Sequence, residues 1–438
     1  MNEWKKVKIG EFLTEREGRF KPDDKRISKY QRLDKIDFSG NIHLSNKPTK
    51  TDMILVQPGD LVISGINVAK GAITVYQGEE PVCATIHYSS YTFDSSKVDL
   101  DYFKFFVKST AFIAAMQKQV KGGIKTEIKP KHLLALEISI PDLGTQKKIV
   151  KEISSQLEKT EQLSSEIEKQ KSYAKQLRQN ILQEAIEGKL TTDWRKQHPV
   201  QKGNPDYDAE ALFDKIQAEN SETKSSKKTV APITKDEIPF EIPTNWKWVR
   251  LGGICEGFMY GTSAKSLPSG KCPVLRMGNI QNGKIDWEKL VYTNNDEEME
   301  KYLLKQYDLL FNRTNSREMV GKTAIFESTQ KTIYAGYLVK FRPIKSNPYF
   351  VNIVLNSKTH REWCNEVKVD ALGQSNINAE KLKNFITPLP PLAEQKEIVA
   401  RVEQHLQTIT QLETQIATRE ITTKQLMQSI LKDAFERR

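Results

Sequence analysis

Two stretches of this 438-residue chain carry side chains in patterns that enzymes use on phosphates or bases. Pro205 and Asp206, followed by Glu222, Thr223 and Lys224, have the residue types of a P-D…E-x-K nuclease site, where carboxylates and a lysine surround Mg²⁺. That chemistry needs adjacent strands to fix the ligands, whereas these residues fall in a polar tract. The run N-P-Y-F from Asn347 to Phe350 approaches the N-P-P-Y/F loop with which amino-methyltransferases hold a target base. It lacks the second proline, no F-x-G-x-G precedes it, and it reads as a turn before a helix. Neither G-x-x-x-x-G-K-[ST] nor G-x-G-x-x-G occurs, which leaves ATP-driven and dinucleotide chemistry without a seat. Cys83, Cys255, Cys272, Cys364 and the six histidines are dispersed, with no pair at zinc spacing. The expectation is a binding protein with no catalytic residue, no bound cofactor and no metal.

What it binds is suggested by charge. Lys and Arg number 67 against 56 Asp and Glu, a net +11, and nucleic acid becomes the leading partner. The run K-Q-V-K-G-G-I-K-T-E-I-K-P-K from Lys118 to Lys131 could follow a phosphate backbone through Lys118, Lys121 and Lys125. A second polar loop, from Ser64 to Gly71, offers Asn67 and Lys70. Later in the chain N-R-T-N-S-R-E-M-V-G-K, from Asn312 to Lys322, offers Arg313, Asn315, Arg317 and Lys322. The run A-L-G-Q-S-N-I-N from Ala371 to Asn378 offers Gln374, Ser375 and Asn376, groups suited to base edges.

These loops belong to a chain written twice. Trp4 to Gly10 returns at Trp246 to Gly252, an offset of 242, and P-D-L-G-T-Q-K-K-I-V from Pro141 returns as P-P-L-A-E-Q-K-E-I-V from Pro390, an offset of 249. Each copy opens with short Val, Ile, Phe and Tyr runs between Gly, Asn, Asp and Pro turns, which predict strands of an α+β domain over residues 1–144 and 241–391. A helical pattern follows each. Ile149, Ile153, Gln156, Thr160, Leu163 and Ile167 step by 4 and 3, as do Ile398, Val402, His405, Ile409, Leu412 and Ile416. A second helix is expected after each seam, packing through Leu177 and Ile181 in one copy and Leu426 and Ile430 in the other. The spacing predicts helical hairpins over 145–195 and 392–438, forming an antiparallel coiled-coil spacer, with a partly flexible connector over 196–240. A helix of about 24 residues is roughly 36 Å long, close to one turn of B-DNA. No apolar run is long enough for a signal peptide or a bilayer span, so a cytoplasmic protein that avoids membranes is expected.

At this point the chain resembles the DNA-specificity subunit of Type I restriction-modification systems. The resemblance rests on D-L-L-F-N-R-T-N-S from Asp308, V-G-K from Val320, G-Q-S-N-I-N from Gly373, P-P-L-A-E-Q-K-E-I-V from Pro390, and the helix ends from Leu177 and Leu426. It covers nearly the whole chain. The first copy departs from the pattern, lacking an arginine at the place of Arg313 and reading G-I-K-T-E-I from Gly123 where the second has G-Q-S-N-I-N. The resemblance implies two target-recognition domains that read the halves of a split, asymmetric DNA site across a gap set by the helices. It also implies two methyltransferase subunits and two restriction subunits as partners, which bring S-adenosylmethionine, Mg²⁺ and ATP. The competing class is a non-catalytic twin-domain scaffold that binds proteins without reading DNA.

Overall fold

The computed structural model describes residues 4–37, 40–65, 72–110, 112, 114, 133–223, 232–371 and 373–436. The apolar runs of the first half of each copy become strands because β-branched and aromatic residues fit a pleated, half-buried surface. Leu61–Ser64 and Leu309–Asn312 are buried along their whole length and lie inside four-stranded antiparallel sheets. The first sheet runs Leu13–Glu15, Tyr88–Phe93, Leu61–Ser64, Ile73–Val75. The second runs Cys255–Tyr260, Leu338–Pro343, Leu309–Asn312, Thr323–Ile325, the same order at the repeat offset. Register repeats as well, Leu61 facing Tyr91 and Leu309 facing Phe341. A further sheet with one parallel pair accompanies each, four-stranded in the first copy and three-stranded in the second, with Arg32–Ile36 beside Val82–Thr85 and Cys272–Leu275 beside Ile333–Tyr334. The chain is α+β, with its internal repeat visible at the level of strand order.

The turn before each central strand repeats with different residues. Gly59 and Tyr307, 248 apart, both have positive φ, 86° and 72°. Glycine takes that conformation freely, whereas tyrosine is held there against a cost of about 1 kcal/mol. The following carboxylates, Asp60 and Asp308, are buried and each meets an arginine, but from different strands. Arg16 reaches Asp60 at 2.7 Å, and Arg342 reaches Asp308 at 2.8 Å. The buried charge is neutralised twice by unrelated solutions, as burial of a carboxylate demands.

The helices correct one expectation. Residues 145–195 and 392–438 do not form hairpins: Leu143–Ile186 and Leu392–Glu436 are each one unbroken helix. Between Thr145 and Glu187 there is no Gly or Pro to turn the chain, and the first helix stops only before Gly188, at φ 74°. The chain divides into two compact units, one of 1–169 with 416–438 and another of 170–415. Each unit therefore contains part of both helices. In the second unit Arg178 pairs with Glu413 at 3.0 Å, while Arg401 donates to the carbonyl of Leu190. Moving along the first helix from Arg178 to the turn just past its end, at Leu190, corresponds to moving backward along the other from Glu413 to Arg401, which makes the pair antiparallel. In the first unit Ile153, Ile430 and Phe435 join the domain core, where Phe435 meets the rings of Tyr102 and Phe106 edge-on.

The seam has a stricter period than a 4,3 pattern. Ile153, Thr160, Ile167, Ala174 and Ile181 are buried, and so are Val402, Ile409, Ile416, Thr423 and Ile430, every seventh residue of each helix. Ile398 is buried and Ile149 half-buried. The expectation fails at Leu163, Leu177, Leu412 and Leu426, which are 42–48% exposed. Two helices cover one stripe of each other and leave the next stripe open.

Candidate nucleic-acid interface

Asn312, the last residue of its buried strand, hands the chain to a second, three-stranded sheet ordered Thr314–Asn315, Gln374–Asn376, Val369–Ala371. Two loops 60 residues apart in sequence are thereby one surface. Thr314 pairs with Asn376 and Asn315 with Ser375. Gln374–Asn376 and Val369–Ala371 form a hairpin whose tip carries Gly373 at φ 80° in open space. The backbone of Arg313 is held from both sides, its N–H donating to the Tyr337 carbonyl at 3.0 Å and its carbonyl accepting from Ile377 N at 2.9 Å.

The side chain of Arg313 is the strongest candidate here. Its guanidinium lies 4.4 Å from the ring centroid of Tyr260, a cation–π stack, and Tyr260 is fixed in turn because its hydroxyl accepts from Ala379 N. The other half-buried arginines among the described residues reach a carboxylate or carbonyl, as Arg195, Arg250 and Arg361 do with Glu394, Glu237 and Val320. Arg313 has no such acceptor, and its Nε is buried without a partner. A planar donor fork, oriented by an aromatic ring and without an acceptor among the described residues, is suited to a bidentate acceptor. Tyr260 escaped the sequence reading because nothing near it in sequence marks it; Tyr337, half exposed beside Arg313, escaped for the same reason.

The other expected residues divide. Gln374 is exposed. Arg317 is 73% exposed and lies 3.8 Å from Asp370, a surface pair of little energetic weight. Asn315 and Asn376 are half-buried and partly used within the sheet, Asn315 Oδ1 accepting from Ser316 N and Asn376 donating to Thr314. Ser375 is buried and its hydroxyl donates to Asp370, so its side chain holds the hairpin rather than facing outward. Lys322 is half-buried, donates to Gln281 at 2.9 Å, and has its pKa lowered by burial and then by the neighbouring charges of Arg361 and Lys175. Asn67, Lys70, Lys118, Lys121 and Lys125 lie outside the described residues.

The near-matches to enzyme sites have structural roles. Asn347 caps the helix Pro348–Val354, its Oδ1 accepting from Tyr349 N at 2.9 Å. The carbonyls of Pro205 and Asp206 accept the first N–H groups of the helix Leu392–Glu436. Two glutamines that the repeated P-x-x-x-x-Q pattern contains join each domain to its helix. Gln146 donates to Pro141 O and accepts from Asp99 N; Gln395 donates to Pro390 O and accepts from Asn347 N, with matching distances of 2.8 and 2.7 Å. Asp99 and Asn347 are themselves N-caps. Among the described residues no group of three or more His, Cys, Asp or Glu could hold a metal, and no helix is long and apolar enough to cross a membrane.

A duplicated α+β scaffold carrying polar loops on small sheets and joined to long paired helices defines a class of recognition subunit. The sequence matches the family described as "Type I restriction modification DNA specificity domain" over residues 1–170 and 243–420, and the chain belongs to that family. It is 26% identical over 336 residues to the Type I restriction enzyme EcoKI specificity subunit of Escherichia coli (strain K12), covering 75% of this chain and 63% of that one. The putative type I restriction enzyme MjaX specificity subunit of Methanocaldococcus jannaschii is 32% identical over 203 residues, 45% of this chain and 48% of its own. The match to the StySPI specificity subunit of Salmonella potsdam, at 23% identity, covers 87% of this chain and 74% of that one. The chain thus aligns with about three fifths of the EcoKI subunit and about half of the MjaX subunit. A solved chain from work on assembly and conformational transition of the type I R-M system shares the fold, with a TM-score of 0.59 at 16% identity over 99% of this chain and 97% of that one.

Proposed function

We propose that this chain is the non-catalytic, sequence-reading subunit of a Type I restriction-modification complex, in which each sheet domain contacts one half of a split DNA site. The observation that carries the reading is the Tyr260–Arg313 stack on a surface built from two distant loops. Comparison with the first copy supports it. Gly65 N donates to the His87 carbonyl as Arg313 N does to that of Tyr337, so one backbone arrangement presents glycine and histidine in one domain and arginine and tyrosine in the other. Equivalent scaffolds with different side chains suit an asymmetric site. Arg313 is assigned to a guanine edge, where a bidentate contact discriminates by about 1–3 kcal/mol, and Lys322 with Arg361 and Lys175 to phosphate.

The exposed leucines support docking of two identical partners. Leu163 and Leu412 occupy equivalent positions, as do Leu177 and Leu426, 249 apart. Each unit carries one residue of each kind, Leu163 and Leu426 in the first and Leu412 and Leu177 in the second. Two methyltransferase subunits, one per unit, are the proposed occupants. They would supply S-adenosylmethionine chemistry, with two restriction subunits adding Mg²⁺- and ATP-dependent steps. The deciding experiment is to map methylated adenines in DNA treated with the reconstituted complex, before and after exchange of residues 241–391 for those of a relative. A change confined to one half of the methylated site is expected; an unchanged site would overturn the reading in favour of a protein-binding scaffold.

A further inference from the structure

The repeat makes one difference between the two units informative. In the second, the connector helix Ala209–Thr223 is seated against the start of its domain. Its Leu212 and Ile216 are buried, and Gln217 and Asn220 donate to the Gly253 carbonyl. Two ion pairs fasten it, Lys247 to Glu210 and Lys345 to Glu219, both at 2.7 Å, and Lys247 also lies 5.3 Å from the ring centroid of Phe213. Nine residues at 100° each separate the two glutamates by half a turn, so the lysines hold opposite flanks of the helix.

In the first unit no helix among the described residues occupies the equivalent place. A cavity of about 600 Å³ is lined there by Val7, Phe12, Ile140, Pro141 and Leu143, with Lys5 and Lys97 on its wall. Lys5 is the equivalent of Lys247, at the offset of 242. Lys97 is that of Lys345 at 248, since each stands two residues before an N-cap, Asp99 or Asn347. Both lysines are exposed; Lys97 Nζ also donates to the Glu11 carbonyl at 2.8 Å and lies 3.5 Å from Asp94, so a partner carboxylate would share it. The first-turn N–H groups show a matching difference. In the second unit Leu392 N and Ala393 N donate to connector carbonyls, while in the first the carboxylate of Asp142 accepts from Thr145 N.

We infer that this groove of the first unit is a docking site for an amphipathic helix of a partner protein, one that presents two carboxylates half a turn apart flanking a Leu/Phe/Ile face. Lys5 and Lys97 pair with the carboxylates, as Lys247 and Lys345 do in the second unit, and Val7, Phe12 and Leu143 receive the apolar face. One departure sets the chemistry of the middle of that helix. Glu11 stands where the second unit has Gly253, so a donor or cation at the position of Gln217 is favoured over an acid. The inference does not depend on DNA reading.

The test uses the full chain and a fluorescein-labelled peptide with the sequence of residues 205–223 as the probe, followed by anisotropy. Saturable binding of one peptide per chain is expected. Lys5→Glu with Lys97→Glu should weaken it at least tenfold, and a peptide carrying Glu210→Lys and Glu219→Lys should bind that variant better than the wild-type peptide does. Loss of binding through Lys247→Glu with Lys345→Glu instead would mean exchange with the resident helix and would overturn the assignment. So would no binding at about 1 mM peptide, or self-association of the chain through this face that the peptide fails to inhibit. Circular dichroism of the variants should match the parent, which shows that loss of the Lys97 contacts to the Glu11 carbonyl and Asp94 leaves the fold in place.

Discussion

Arg313 illustrates how a residue's type and its setting divide the work of recognition. Its type supplies a donor fork, and the Tyr260 ring, the two backbone bonds and the lack of an acceptor among the described residues leave that fork oriented and unspent. Arg313→Ala should therefore lower affinity for the specific duplex by about 1–3 kcal/mol, roughly 5- to 150-fold, while the melting temperature stays nearly unchanged. Tyr260→Ala should produce a smaller loss in the same direction. Equal affinities for the specific duplex, in variants shown to be folded, would refute both. His360 shows the opposite case, a titratable group with no role at the surface. It is enclosed by Phe311, Trp363, Phe385 and Cys364, and burial, then the charge of Arg361, pushes its pKa from the ordinary value to about 3. The folded state resists protonation that the unfolded state accepts below about pH 6.5, so stability is intact above that pH and falls as pH drops toward 3. Between pH 7.5 and 5.5 this group alone should remove about 1.4 kcal/mol of unfolding free energy. Urea titrations of the parent and His360→Leu at the two pH values would reveal it as a difference in pH dependence.

Among the elements, the long helices depend on the joints that start them and on the period of their seam. Gln146 and Gln395 each close a buried joint of three strong partners, and neither is exposed. Gln395→Leu leaves the Asn347 N–H, the Ser346 hydroxyl and the Pro390 carbonyl without it, and a loss of about 3 kcal/mol is expected from such unsatisfied groups. A denaturation midpoint within error of the parent would show that water replaces the amide. The seven-residue spacing of the buried seam governs length changes. Removing seven residues turns the remainder of a helix by only about 20° and keeps the seam in place, whereas removing four moves it off the buried positions. Deleting one heptad from both helices should keep the fold and shorten the preferred gap between half-sites by about three base pairs, from 1.5 Å per helical residue and 3.4 Å per base pair. Binding to duplexes of graded gap would expose an unchanged preference.

For the whole molecule, duplication gives two sets of surfaces whose side chains have diverged to different degrees. The exposed leucine stripe is present in both copies, and on the proposed docking of one methyltransferase subunit per unit, Leu163→Asp with Leu426→Asp should halve the number bound, from two per chain to one. Sedimentation of the reconstituted complex at saturation would measure it, and retention of two would place docking elsewhere. The α+β class and the repeat were legible in the sequence because strand patterning and matched motifs are local or collinear properties. The seam was legible only in part. Ile153 and Val402 are buried as their spacing predicts, while the leucines between buried positions looked like core because periodicity records hydrophobicity without recording what covers it. The continuous helices were legible in the missing Gly and Pro, a signal outweighed by the expectation that each seam needs a local partner. The sequence by itself determined that two related domains alternate with helices and where the second copy's polar segments lie. Only the tertiary structure decided that each helix segment finds its partner in the other copy, that Arg313 meets Tyr260, and that Gln395 ties domain to helix, since contacts between residues tens to hundreds of positions apart depend on chain closure that no local pattern encodes.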